Sequence, residues 1–289
     1  FARGFDVYRS AIQPGDLDFE NPGFLPRGVG PDARGADHEA NEGVSGPTVV
    51  EGVRRALAEA DPERPLFLFL HWFDPHYDYI PPPPFDRRFD PDYAGTIDGR
   101  DFWTNPRIWD ERATPPRRVG DRDRAHLFAL YRGEIAYTDA ELGRVPALLR
   151  DAGRLEHALV VVTSDHGDEF FEHGGRVHRH TLFDELVRVP LLVVPPGGAA
   201  TASEIAAQVT LSDVAPTVLD YAGIAPPPSA TGRSLRPAVE GAPFASRPAL
   251  SSLYFPSESK TGAQRHRFVH AWRTPEQKLV RTMVLNARG

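Results

Sequence analysis

The sequence has 289 residues, of which 25% are charged and 40% hydrophobic, with a formal net charge of −7 and a pI near 5.9. This is an ordinary globular composition, long enough to bury the core of one large α/β domain, and its acidic balance excludes the basic footprint of a nucleic-acid binder. No apolar run approaches the roughly 20 residues of a membrane helix, and with no cysteine there are no disulfides and no thiolate metal sites.

Residues 1–45 are rich in Gly, Pro, Asp and Arg and read as irregular surface chain, apart from a short piece at Phe5-Asp6-Val7-Tyr8. Pro47 then opens a helix whose apolar positions, Val49, Val50, Val53, Ala56, Leu57 and Ala60, fall on one face. Leu66-Phe67-Leu68-Phe69-Leu70 reads as a strand buried on both faces, delivering His71, Asp74 and His76 at its end. A long, proline-rich excursion over 78–120 follows, the kind of loop that is often functional. From Asp121 to about Leu149 the pattern is helical, with Leu127, Tyr131, Ile135, Leu142, Val145 and Leu149 along one side and Pro146 as the expected kink.

Ala158 to Val162 is a second strand of the same buried type, ending in Thr163-Ser164-Asp165-His166-Gly167-Asp168. A histidine-rich loop, Glu172 to Thr181, comes next, then a short helix over Leu182–Val187 and strands at Pro190–Val194 and Ile205–Leu211. Ser212-Asp213 caps a helix that runs to Tyr221-Ala222 and closes at Gly223. This alternation predicts an α/β fold with a mostly parallel central sheet flanked by helices. After about Gly241 the pattern changes to short alternating strands, Leu250–Tyr254, Phe268–Trp272 and Lys278–Val284, a small antiparallel piece. The expected division is a core over 1–241 and the start of a small α+β subdomain over 242–289.

Five of the eleven histidines, His71, His76, His166, His178 and His180, follow two predicted strand ends. In open α/β sheets ligands collect at such ends. An acid beside an imidazole, as in Asp165-His166, offers one oxygen and one nitrogen donor to a metal. Convergent imidazoles with a carboxylate suit a metal and an anionic substrate, and Arg176 and Arg179 add positive charge in the same loop.

Four ordered stretches carry a resemblance. They are Phe73-Asp74-Pro75-His76-Tyr77, Thr163-Ser164-Asp165-His166-Gly167-Asp168, Glu172-His173-Gly174, and His178-Arg179-His180-Thr181 running on to Val189-Pro190-Leu191. Thr210-Leu211-Ser212-Asp213 to Leu219 and Thr231-Gly232-Arg233-Ser234-Leu235 continue it. Together they resemble the sulfatase family of the alkaline-phosphatase-like superfamily, over nearly the whole chain. The resemblance implies hydrolysis of small-molecule or glycan sulfate esters with one divalent cation, Ca2+ first and Mn2+ or Zn2+ as alternatives. Asp165 and His166 match metal ligands. His76 matches a sulfate contact, with His71 in the same motif, and Arg179 stands where many members place a sulfate-holding lysine. His178 and His180 match active-site histidines, and Asp139 a frequent helix aspartate.

One departure shapes the expectation. Family members carry an early Cys- or Ser-x-Pro-x-Arg motif whose first residue matures to formylglycine, and an early aspartate pair that completes the metal site. Neither occurs before Leu66. Thr114-Pro115-Pro116-Arg117-Arg118 has the spacing but follows the wrong strand. The sequence starts at Phe1 and its one methionine is Met283, so the reading expects an N-terminally truncated chain of little activity, with the formylglycine and any export signal in the missing segment. A periplasmic or extracellular location stays open, as does the oligomeric state. Two alternatives stand beside the sulfatase reading. One is a phosphomonoester, phosphodiester or phosphonate hydrolase of the same superfamily, and the other a catalytically inactive anion-binding relative.

Overall fold

The structure, a computed structural model, describes residues 45–102, 105–110, 115, 117–198, 203–258 and 264–286. The piece expected at Phe5–Tyr8 lies outside them. The chain divides after Leu155 into two compact units. Among the described residues no helix is long and apolar enough to cross a membrane.

In the first unit, α1 (Gly46–Glu59) starts with proline in its first turn, where the missing N–H costs nothing. It buries Val50 and Val53 against Val145, with Leu57, Leu148 and Leu149 around them. The short strands β1 (Trp109–Asp110) and β2 (Arg117–Arg118) pair antiparallel. Helix α2 (Asp121–Leu142) carries Asp121 and Asp123 in its first turn, where the helix dipole favours negative charge. Its buried stripe is His126, Leu127, Leu130, Gly133, Glu134 and Tyr137, not the expected line through Ile135, which is exposed. The break before α3 (Arg144–Asp151) falls at Gly143 rather than Pro146, which sits in the first turn of α3 and needs no N–H partner there.

The proline-rich excursion is packed chain. Tyr79, Phe102 and Ile108 are fully buried, and Tyr79 meets Phe102 and Tyr131 edge to face. Gly133 lets this loop approach α2, since a Cβ there would lie 2.6 Å from the Phe85 carbonyl oxygen. The expected strand at Leu66–Leu70 is not a strand in the structure. Leu68, Leu70 and Trp72 face the α1–α3 core, while Leu66, Phe67 and Phe69 are exposed. A continuous apolar run was read as covered on both sides; here one side is.

In the second unit, β3 (Val160–Thr163) pairs with β6 (Leu191–Val194), and the pairing is antiparallel, Val160 opposite Val194 and Thr163 opposite Leu191. Every pairing among the described residues is antiparallel, so the mostly parallel sheet is not seen in them. A β-branched run specifies extended backbone and burial, but says nothing about the direction of the neighbouring strand. A parallel return also needs a crossover of a dozen or more residues, usually a full helix. The helix between these strands is only α4 (Asp184–Val187). The loop from β3 to β6 also holds the small hairpin β4 (Glu169–Phe170) and β5 (Arg176–Val177).

Ile205–Leu211 is not a strand either; both ends are exposed and Leu211 starts a 3-10 turn. Helix α5 (Val214–Tyr221) follows, then α6 (Arg236–Val239). Asp213, fully buried, accepts from the Thr210 N–H and hydroxyl, the Arg233 N–H and the Arg247 guanidinium. The antiparallel piece is present as β7 (Ala249–Glu258), β8 (Gln264–Arg273) and β9 (Lys278–Asn286), a meander in that order. Its inner face packs Val269 and Ala271, with Leu253 and Val280, onto Leu182 and Val187. Asp184 of α4 holds Arg273 and Lys278, clamping that helix to the sheet.

Candidate functional site

The site loop leaves β3 at Thr163 and is pinned at once. The Gly167 N–H donates to the Leu186 carbonyl at 2.9 Å. The approach is so close that a Cβ on Gly167 would lie 2.1 Å from the Glu185 carbonyl oxygen. That glycine sets His166 and Asp168 on either side of a fixed point. The hairpin β4–β5 then returns the chain so that His178 and His180 reach back toward two consecutive acids.

His178 Nδ1 donates to Asp168 Oδ1 at 2.7 Å, and both side chains are almost wholly buried. His180 Nε2 lies 2.6 Å from Glu169 Oε2, and the other oxygen of Glu169 accepts the N–H groups of His173 and Gly175. Burial alone would raise the Glu169 carboxyl, but His180 and the two backbone donors outweigh it and hold the acid below its usual range. For His178 burial is the largest influence and pushes its pKa down, with His166 and Arg179 adding to it against Asp168. Such a ring favours the neutral form, and a carboxylate on Nδ1 fixes which nitrogen carries the proton.

The loop shape is held against local preference. Val177 and Arg179, the neighbours of His178, have φ of 53° and 70°. A β-branched residue in that region is uncommon and costs on the order of 1–3 kcal/mol. The two carboxylate–histidine pairs are interactions able to offset it.

His166, Asp168 and His178 offer one donor each within 4.8 Å of one another, and the rings of His166 and His178 lie 3.9 Å apart. Asp165 stands at the rim, 81% exposed, with an oxygen 3.8 Å from His166 Nε2. The donor set fits a divalent cation. The three convergent donors are two imidazoles and one carboxylate, nitrogen and oxygen ligands of the kinds divalent cations take. His173 is tied to Glu185 at 3.0 Å and stacks on Phe183.

The second unit thus brings together Asp165, His166, His178, Arg179 and His180. His71 and His76 belong to the first unit. There His76 Nδ1 donates to the Tyr77 carbonyl at 2.7 Å, its ring between Phe73 and Tyr77. Its loop is held by three acids, of which Asp78 and Glu134 are buried. Asp74 accepts from Ser45, Asp78 accepts the Asp101 and Phe102 N–H groups, and Glu134 accepts the Ile80 N–H. Burial pushes the Glu134 carboxyl well above the usual glutamate range.

Asp168 and Glu169 escaped the sequence reading as partners of the histidines. Spacing alone could not pair them, because Val177 and Arg179 leave the extended region, with φ of 53° and 70°.

Residues 3–224 match the family model described as Sulfatase, and residues 172–285 match one described as N-sulphoglucosamine sulphohydrolase, C-terminal. Arylsulfatase K of Danio rerio is 40% identical over 114 residues, which are 39% of this chain and 21% of that protein. The phosphonate monoester hydrolase of Agrobacterium radiobacter superposes with a TM-score of 0.61 at 21% identity, over 86% of this chain and 55% of that one. A protein solved in complex with its substrate D-glucosamine-2-N,6-O-disulfate superposes with a TM-score of 0.57 at 19% identity, over 84% and 63%. The fold of these neighbours is alkaline-phosphatase-like.

Proposed function

The chain belongs to the sulfatase family, and from that premise we propose that the whole protein is a metal-dependent hydrolase of small-molecule or glycan sulfate esters. The observation that supports it is the convergence of His166, Asp168 and His178 beside Asp165, with His180 held by Glu169. In this reading Asp165 and His166 bind the cation, and Asp168 joins them or orients His178 toward them. When bound, the cation draws negative charge from the ester oxygens. Of the cations expected from the resemblance, Ca2+ stands first, with Mn2+ or Zn2+ as alternatives.

The resemblance assigns sulfate oxygens to His76 and Arg179, with His71 in the same motif as His76, and His178 or His180 gives the proton to the leaving oxygen. The nucleophile is the formylglycine general to the family. The mostly parallel sheet, the core over 1–241 and the subdomain from 242 remain part of the same proposal.

The test is turnover of 4-nitrophenyl sulfate against 4-nitrophenyl phosphate and phenylphosphonate esters, with metal content measured in parallel. We expect sulfate to lead by at least about tenfold and Asp165→Asn with His166→Ala to lose both metal and turnover. A phosphate or phosphonate preference would move the protein to the other ester class. Full metal occupancy with no turnover of any ester would make it a binding relative.

A further inference from the structure

Within the second unit a cavity of about 380 Å³ opens between the site loop and the inner face of the C-terminal sheet, and Glu169, His173, His180, Thr181, Arg267 and Thr282 contribute its polar wall. Its lining carries a fixed cation, Arg267, and an acid, Glu169, with Glu172 and Glu185 close to that acid. Glu169 is taken by His180 and the loop N–H groups, and His173 lies 3.0 Å from Glu185. Arg267 has no acid within ion-pair distance among the described residues, and its Nε is buried with no hydrogen-bond partner. Its guanidinium carbon lies 5.9 Å from the Phe255 ring, which gives it a weak apolar wall and no acceptor.

The strand register explains why Arg267 is there. Val269 lies opposite Thr282 and Arg267 opposite Val284, so Arg267, Val269 and Thr282 share one face. Val269 fills the core against Leu182. One step along, where the core gives out, the same face presents the planar cation of Arg267 to the cavity, and Thr282, opposite Val269, adds a hydroxyl. A half-buried guanidinium without an acceptor is costly, and an oxyanion that sets two oxygens side by side against its N–H groups is the ligand its shape fits.

We propose that this cavity binds a second anionic group of the substrate, a carboxylate or a second sulfate carried on the leaving-group side of the ester, with Arg267 as its principal ligand and Thr282 and Thr181 beside it. His180 links the two places, because it lines the cavity and is one of the two residues assigned to the leaving oxygen. The inference rests on the sulfatase reading for the identity of the first anion.

The experiment compares 4-nitrophenyl sulfate with its 2-carboxylate and 2-sulfonate derivatives, on the wild-type protein, Arg267→Gln, Arg267→Lys, Thr282→Val and Arg281→Gln. Arg281 is exposed on the other face of the sheet. The quantity read is the preference, kcat/KM on a two-charge ester over that on the one-charge ester. We expect Arg267→Gln to lower it about tenfold or more, Arg267→Lys and Thr282→Val to lower it severalfold, and Arg281→Gln to shift it less than twofold. Whichever derivative shows the effect identifies the second group as carboxylate or sulfo. A preference unchanged in Arg267→Gln, or in Lys and Val variants should the Gln variant not fold, overturns the proposal. Should the wild type hydrolyse none of the three, it is the sulfatase reading that fails. The cavity is then judged by calorimetry with benzene-1,3-disulfonate and benzenesulfonate. Selective binding of the disulfonate that Arg267→Gln abolishes upholds it, and equal binding overturns it.

Discussion

Asp168 and His178 form a nearly solvent-free pair, Oδ1 to Nδ1 at 2.7 Å, inside the loop that carries every candidate residue of the second unit. Removing the acid leaves an imidazole N–H in the interior without its acceptor. Asp168→Ala should therefore destabilise the protein by about 1–3 kcal/mol in chemical denaturation. The isosteric Asp168→Asn should cost less stability but weaken Mn2+ binding about 10–100-fold by calorimetry, the usual effect of losing a carboxylate partner of a metal-site histidine. An Asn variant with unchanged affinity would assign Asp168 to structure alone.

Two buried glutamates titrate in opposite senses. The Glu134 carboxyl is pushed up, chiefly by burial, above its ordinary value of 4.5. A group raised on folding contributes stability that is complete below the unfolded pKa and is lost as pH rises through the folded one. Stability should decline on the alkaline side of about pH 4.5, and Glu134→Gln should flatten that decline, as read by urea denaturation between pH 5 and 9. A Gln variant with an unaltered pH slope would show that Glu134 is ionised in the fold.

Glu169 behaves the other way, because its pairing with His180 and two N–H donors outweighs burial and lowers its pKa. Its contribution is present above the unfolded pKa and is lost as pH falls through the folded one. Glu169→Gln should be less stable than wild type at pH 7, and the gap should close on acidification below about pH 4.5, the ordinary glutamate value. Equal stability at pH 7 would mean the pair contributes nothing net.

A glycine offers a probe of geometry apart from charge. A Cβ on Gly175 would meet His180 Nε2 at 2.3 Å and Glu169 Oε2 at 2.8 Å. These are side-chain atoms able to move, so Gly175→Ala should cost about 1–3 kcal/mol at most while displacing His180 from Glu169. The expected signature is a loss of turnover larger than the loss of melting temperature would predict. Full activity would show that the His180–Glu169 contact is dispensable.

Asp213 is the corresponding test for the scaffold. It is fully buried and joins Thr210, Arg233 and Arg247. Asp213→Ala strands three donors and leaves the part-exposed Arg247 without its acid, and about 1–3 kcal/mol of destabilisation is expected in denaturant.

The first helix was legible because its apolar spacing survives in the fold: Val50, Val53 and Leu57 do meet α3. The C-terminal meander was legible for the same reason, with alternation through Val269 and Ala271. What could not be read was pairing. Val160–Val162 announces a strand, yet only its partner's chain direction decides that the return at Leu191 is antiparallel. Leu66–Leu70 has the composition of a central strand and forms none. In the site, the histidines were visible as a cluster, but that Asp168 and Glu169 each hold one depends on the unusual φ at Val177 and Arg179. Those values come from tertiary contacts rather than from residue preference.

The pairing of Thr163 with Leu191 has a practical corollary. Opposed residues on an antiparallel ladder lie about 5 Å apart, so residues 164–190 leave and re-enter the scaffold through a single doorway. That segment holds His166, Asp168, Glu169, His173, His178, His180 and Glu185. It is a cassette with both hinges on one rung, and can be exchanged as one block with the equivalent loop of a relative without cutting any other strand. Chemistry at the site can accordingly diverge by loop replacement while the ladder beneath it stays as it is.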